Sequence, residues 1–319
     1  MRRSAALLGL PLMMILAGCA PAATEPLGPG GAVGTPPDAA QRQAAFDRRA
    51  TEIAGAWPPG GTWTSGYTPL QDPTVLVGEP DFTPATEAAF QDGWYRTVVT
   101  LPDTRPADGT ARFLDGSTEL PLISAAEAYR QLNQGGQGAC PEAEPATAPP
   151  ATAGPDAAVS SRPQGACAPL TVTKVELGTA PVHTTRGSAQ VPAWLFTVAE
   201  IGAMVARVAV VPGAVGAVPE PHTPPAPTLR DLVSAQDIEA ADGTTITYRL
   251  GVGSCDTGIT PLVQEHDHVI VVGGTVVLPT DGCDDMLNLH PVEVTLAAPV
   301  GTRLVLDALS GAPLRLATG

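Results

Sequence analysis

Apolar residues recur at helical spacing over Asp38 to Trp57, where Phe46, Ala50, Ile53, Ala54 and Trp57 fall three or four residues apart and line one face. Asp38 follows Pro37 and is placed to cap this helix, and Trp57-Pro58-Pro59-Gly60-Gly61 stops it. Two shorter helices are expected. One covers Thr83 to Gln91 and ends before Gly93; the other opens at Ser124-Ala125-Ala126-Glu127, which has capping-box spacing, and carries Ala128, Tyr129 and Leu132 as far as Gly135-Gly136. Between them lie a short apolar run, Thr74 to Val77, and a strand rich in aromatic and β-branched residues, Trp94 to Leu101. Ala111 to Phe113 and Thr118 to Leu122 form a hairpin around Asp115-Gly116.

From Leu170 onward the pattern is almost entirely β. Leu170 to Leu177 is one strand, and Val182 to Thr185 with Ala189 to Ala199 is a hairpin turning at Arg186-Gly187. The nearly unbroken apolar run Val191 to Val198 predicts a central strand buried on both faces, in which Trp194 and Phe196 share one face of the core. Further strands are expected at Gly202 to Val211 and Thr244 to Leu250, the latter after an Asp242-Gly243 turn. Leu229 to Ile238 is ambiguous between strand and short helix. His268 to Val272 and Thr275 to Leu278 read as a hairpin about Gly273-Gly274, and Val292 to Leu296 and Arg303 to Leu306 flank a Pro-Val-Gly turn. The fold class is therefore α+β: a small helix-and-strand region over 38–139, a Pro- and Ala-rich linker over 140–167, and a mostly β domain over 168–319, sandwich-like or a partly open barrel.

The start of the chain has a different pattern. Met1-Arg2-Arg3 precedes an apolar run that ends in small residues, the order of a secretory signal peptide over 1–18. Leu16-Ala17-Gly18-Cys19 resembles the lipobox of bacterial lipoproteins. The resemblance implies cleavage after Gly18, a diacylglycerol thioether on Cys19 and anchorage at the outer face of the cell membrane. Residues 19–37, mostly Pro, Gly, Ala and Thr, then read as a flexible tether.

Charge narrows the partners. The 319 residues carry a formal charge of −15, which becomes −17 once Arg2 and Arg3 leave with the signal peptide, and Lys174 is the only lysine. Such a chain is repelled by nucleic acid and anionic headgroups, so nucleic acid is excluded as the main partner. The expected partners are the membrane, through the lipid, and an envelope protein or glycan.

Cys140, Cys167, Cys255 and Cys283 remain after Cys19. An even number in an exported chain points to disulfides. Three pairings are open; Cys140–Cys167 with Cys255–Cys283 is favoured because each pair brackets a short stretch. A four-cysteine zinc site has no CxxC spacing to support it.

Beyond the lipobox, Leu170 to Leu314 resembles uncharacterised secreted lipoproteins of actinobacteria. The resemblance is carried by Val191-Pro192-Ala193-Trp194-Leu195-Phe196, by Gly253-Ser254-Cys255-Asp256, and by Thr295 to Gly301 with Leu306-Asp307. Gly93-Trp94-Tyr95-Arg96-Thr97 is similar in a less specific way. It implies a cysteine early in the last β segment bonded to one after the next hairpin, which matches Cys255 and Cys283. No reaction and no catalytic residue comes with it.

The chain has no GxSxG elbow, P-loop, HExxH or GxGxxG, and every cysteine is assigned to lipid or disulfide. No cofactor is expected, and a non-catalytic recognition or structural module is the favoured reading. The alternative is a metal-assisted envelope enzyme. On a strand over 264–270, His266 and His268 would share a face, and His290, Asp284 or Asp285 would supply a third ligand. His222 lies in a Pro-rich loop and is a poor ligand. Trp57 and Trp63 flank a Pro-Gly turn and either line a ligand groove or seal the first helix.

Overall fold

A computed structural model of the chain describes residues 38–135, 168–220, 231–280, 283–284 and 286–317. Helix α1 (Ala39–Ala56) begins as its sequence dictates. Asp38 accepts the Gln41 N–H at 2.8 Å, and the Gln41 side chain accepts the Asp38 N–H at 3.3 Å, so two orphan donors are satisfied reciprocally. Strand β1 (Thr74–Val77) follows, then α2 (Pro84–Gln91), capped by Thr83 with a proline in its first turn. Strand β2 (Tyr95–Thr97) covers only the start of the expected Trp94–Leu101 strand. The Thr97 hydroxyl bonds both the carbonyl and the N–H of Val99, a local alternative that bends the backbone off the ladder. Strands β3 (Gly109–Phe113) and β4 (Gly116–Leu120) form the expected hairpin, and Ser124 caps α3 (Ala125–Leu132).

Strand β5 (Leu170–Thr184) joins two segments that the sequence divides, and it pairs with β6 (Gly187–Val198) through the turn at Arg186-Gly187. Gly187 has φ 78°, a conformation that favours glycine. Strand β6 is the hub of a seven-stranded sheet. β5 runs along one edge, while β7 (Met204–Val208) and β3 share the other, and β1 pairs outside β7. Helices α2 and α3 cover one face over Trp194, Phe196, Val205 and Ala209. The Trp194 indole N–H reaches the Ile123 carbonyl at 3.0 Å.

The remaining strands are β8 (Leu232–Val233), β9 (Ala235–Asp242), β10 (Thr245–Gly253), β11 (Thr257–Glu265), β12 (Val269–Val277), β13 (Leu287–Thr295) and β14 (Leu304–Asp307). They make two sheets, β13-β10-β9 and β11-β12-β14 with β8. Three layers result. Ile270, Val272 and Val276 of β12 pack with Ile246, Tyr248 and Leu250 of the facing sheet, while Val269 and Val271 pack with Phe46, Ile53 and Trp57 of the α1 segment. Each large apolar side chain buried there contributes on the order of 2 kcal/mol.

One expectation for this region is corrected. Gly273-Gly274 is not a hairpin turn but the middle of β12. A Cβ on Gly273 would press the Ala308 methyl and face the Phe46 ring, and one on Gly274 would collide with Leu250, so the glycines permit close approach on the two faces. Across the Pro-Val-Gly turn, β13 is antiparallel to β10 and β14 is parallel to β12.

The architecture is α+β and mostly β; among the described residues there are three α-helices and no closed barrel. Asp38–Gly319 forms one compact unit. The sheets do not divide where the 140–167 linker divides the chain: β1 to β4 belong to the sheet of β5 to β7, and α1 completes the core of β8 to β14. Cys255 and Cys283 are disulfide-bonded with Cα atoms 6.2 Å apart. Cys140–Cys167, Cys19, the signal peptide and the tether lie outside the described residues.

Candidate functional site

A cleft of about 830 Å³ opens beside β1. Its walls are Pro73 to Leu76, the C-terminal ends of α2 and α3 and the tail residues Leu316 and Ala317. Its size lies within the usual range of small-ligand sites, roughly 300–1,000 Å³. Leu76, Phe90 and Leu132 supply apolar surface, and Gln71, Gln91, Gln131 and Gln134 supply amides.

Arg207 is the one cation among the cleft's lining residues. It sits on β7, where the register sets it opposite Thr74 of β1, on the sheet face that α2 and α3 cover. One terminal nitrogen donates to Thr74 Oγ1 at 3.0 Å and the other to Gln131 Oε1 at 3.2 Å, while Nε is buried without a partner. The Gln131 amide is oriented by donating its own N–H to Glu127 at 2.9 Å. Burial pushes the Arg207 pKa down, and the charge of Asp72 pulls it back up. Arginine keeps its proton throughout, so a charged guanidinium stands here with neutral hydrogen-bond partners. Asp72 is itself paired with Arg315 at 3.5 Å. Asp92, the C-cap of α2, lines the cleft exposed, with no ion pair among the described residues. The helix C-termini add partial negative charge beside it.

The other deeply placed arginines each have a carboxylate partner. Arg49 donates to the carbonyls of Ala308 and Leu309 at 3.1 and 2.8 Å and pairs with Glu52 at 3.3 Å. Arg186 chelates Asp115 and lies 3.8 Å over the Phe113 ring. Arg303 pairs with Glu265 at 2.8 Å.

The histidine cluster does not assemble. Residues 266–268 form the turn between β11 and β12 rather than a strand, so the same-face geometry expected for His266 and His268 is not realised. His266 bonds Gln264 at 3.1 Å. Its pKa is lowered, first by burial and then by His268, against a raising effect from Asp267. His268 Nε2 is buried without a partner. His290 is exposed on β13, in the other sheet. Asp284 sits at the disulfide, hydrogen-bonded to Ser254, and Asp285 and His222 lie outside the described residues. Among the described residues no group of three or more His, Cys, Asp or Glu is placed to hold a metal ion. Trp57 is buried, donates to the Gly311 carbonyl at 3.0 Å and meets Trp63 edge-on at 4.9 Å, so the pair seals α1.

Sequence reasoning passed over Arg207. The available signal was one charge inside the apolar run Met204 to Val211, a position where arginine is unusual unless it is partnered. Among the described residues no helix is long and apolar enough to cross a membrane. No family model, curated protein or solved structure matches the chain.

Proposed function

We propose that the chain is an extracytoplasmic lipoprotein, tethered through Cys19, that acts by recognition: it holds a small ligand in the β1–β7 cleft and does no chemistry on it. The observation that carries this reading is the composition of the cleft. It offers an arginine with unused donors, glutamine amides and an apolar wall, and its lining residues include no serine, cysteine or histidine. The Thr74 hydroxyl accepts from Arg207 with no base bonded to it among the described residues, Asp72 is paired with Arg315, and Asp92 lies exposed at the rim. The lipobox and the Cys255–Cys283 bond support an exported, oxidising location.

Two experiments test the reading. Fractionation of cells expressing wild type and Cys19→Ala should find the wild type with membranes, its Cys19 peptide acylated by mass spectrometry, and the variant released. Incubation of the full chain with a cell-envelope extract, followed by desalting and mass spectrometry, should recover a small molecule. Gln91→Trp, which fills the cleft from an exposed helix end, should lose that molecule. Retention that is unchanged in Gln91→Trp, or no retention, counts against the cleft.

A further inference from the structure

Among the described residues Arg207 forms no ion pair in this cleft and feels a carboxylate only through the more distant charge of Asp72. Arg207 finds only Thr74 and Gln131, and Asp92 has no ion pair among the described residues. A guanidinium has N–H donors on all three nitrogens. The Nε donor is buried, and Thr74 and Gln131 take one donor each from the two terminal nitrogens, so one donor on each is left over. One remaining donor on each terminal nitrogen suits a carboxylate, which has an oxygen for each. A ligand that brought only negative charge would have to enter beside Asp72, Asp92 and two helix C-termini in a chain of net charge −15. Phosphate, with more charge than one guanidinium can offset, suits this poorly. A ligand that also carries one positive group turns the acidic rim from an obstacle into a partner. Of the four glutamine amides, Gln131 is taken at both ends and the Gln71 oxygen accepts the His183 N–H. The amide oxygens of Gln91 and Gln134, whose NH2 groups donate to Glu87 and the Gln131 carbonyl, are placed to accept peptide N–H groups between the charged ends.

Resting on the reading of the cleft as a recognition site, we infer that its ligand is a short zwitterionic peptide. Its free carboxylate lies on the terminal nitrogens of Arg207, and its ammonium lies toward Asp92 and the carbonyl end of α2.

The test is calorimetric titration of the full chain in detergent with unblocked trialanine, N-acetyl-trialanine, trialanine amide and inorganic phosphate. Trialanine should bind, and each blocked form should bind roughly tenfold or more weakly, the size of one charge-assisted contact. Asp92→Asn should abolish the discrimination against the N-acetyl form and leave the discrimination against the amide. Arg207→Met removes both the charge and the fork, and should do the reverse. Should Arg207→Met lose its unfolding transition, the amide on wild type still reads the carboxylate half. Equal affinity for all three peptides, or tighter binding of phosphate, overturns the inference. So does silence toward millimolar trialanine; if the envelope extract still yields a ligand lost in Gln91→Trp, only the peptide assignment falls. If that retention also fails, the recognition reading falls with it.

Discussion

Arg49 on α1 hands its donors to two carbonyls of the loop after β14 and to Glu52, whereas Arg207 on β7 gives one donor each to a threonine and a glutamine and leaves Nε bare. The surroundings differ in the same way. Around Arg49, α1, β12 and β14 close on one another, with Phe46, Ile53 and Leu306 fully buried. Around Arg207, β1 has a strand neighbour on one side only and the helix ends stand back, leaving a cleft. A buried cation tied to a carboxylate and to two carbonyls of another segment is a structural clamp, because removing it strands polar groups that have no water. A cation with neutral partners beside an opening costs desolvation and recovers little of it within the fold, which is the expected cost of a preformed binding group.

The sharpest way to break this contrast is to replace each arginine with methionine. Arg49→Met should lower the unfolding free energy by about 3 kcal/mol in urea titrations, since two loop carbonyls and a helix-to-loop tie are lost together. Cys255→Ser with Cys283→Ser should come next. A loop of 28 residues is worth roughly 3 kcal/mol on chain entropy, and less here because Gly253 and Leu287 already pair across the same strands. Gly274→Ala should cost about 2 kcal/mol, because its methyl would overpack Leu250 between the two sheets.

Acid should act on the open region through His183, on β5. Its backbone N–H bonds Gln71, a residue of the cleft wall, at 2.6 Å. Burial lowers the His183 pKa from 6.5 to about 4. A depressed pKa means that the unfolded chain takes up the proton first. The stabilisation is therefore complete above about pH 6.5 and is lost as pH falls toward 4, by about 2 kcal/mol. His183→Gln should flatten that part of the stability–pH curve. The smallest effect is expected at Arg207→Met, within about 1 kcal/mol of wild type, since a desolvated cation with neutral partners can be replaced by an apolar chain at little cost. A loss there as large as at Arg49 would make Arg207 a second clamp and remove the basis for the cleft as a binding site.

Much of the secondary structure was legible because it depends on near neighbours. The α1 cap, the three helices, the hairpin at Asp115-Gly116 and the Arg186-Gly187 turn all follow from residues within a few positions of one another. Gly273-Gly274 misled because glycine carries the same signal for a turn and for close packing. The difference lies in Ala308, Phe46 and Leu250, none of them near in sequence. The histidines misled because proximity along the chain, in Glu265-His266-Asp267-His268, became a turn that leaves His290 in another sheet.

The sequence alone determined the α+β class, the caps and most strand positions, since local backbone chemistry and hydrophobic period carry that information; the Cys255–Cys283 pairing was only favoured among three until the fold brought those cysteines together. Which segments share a core was decided only in three dimensions. α1 crossed to the C-terminal layers because β12 exposes a second apolar face that needed cover, and β1 crossed to β7 because that sheet had an open edge. Arg207, Gln131 and Asp92 lie on three separate elements, and no spacing along the chain joins them. They became one cleft only when the register of β1 on β7 and the packing of α2 and α3 set where the helices end.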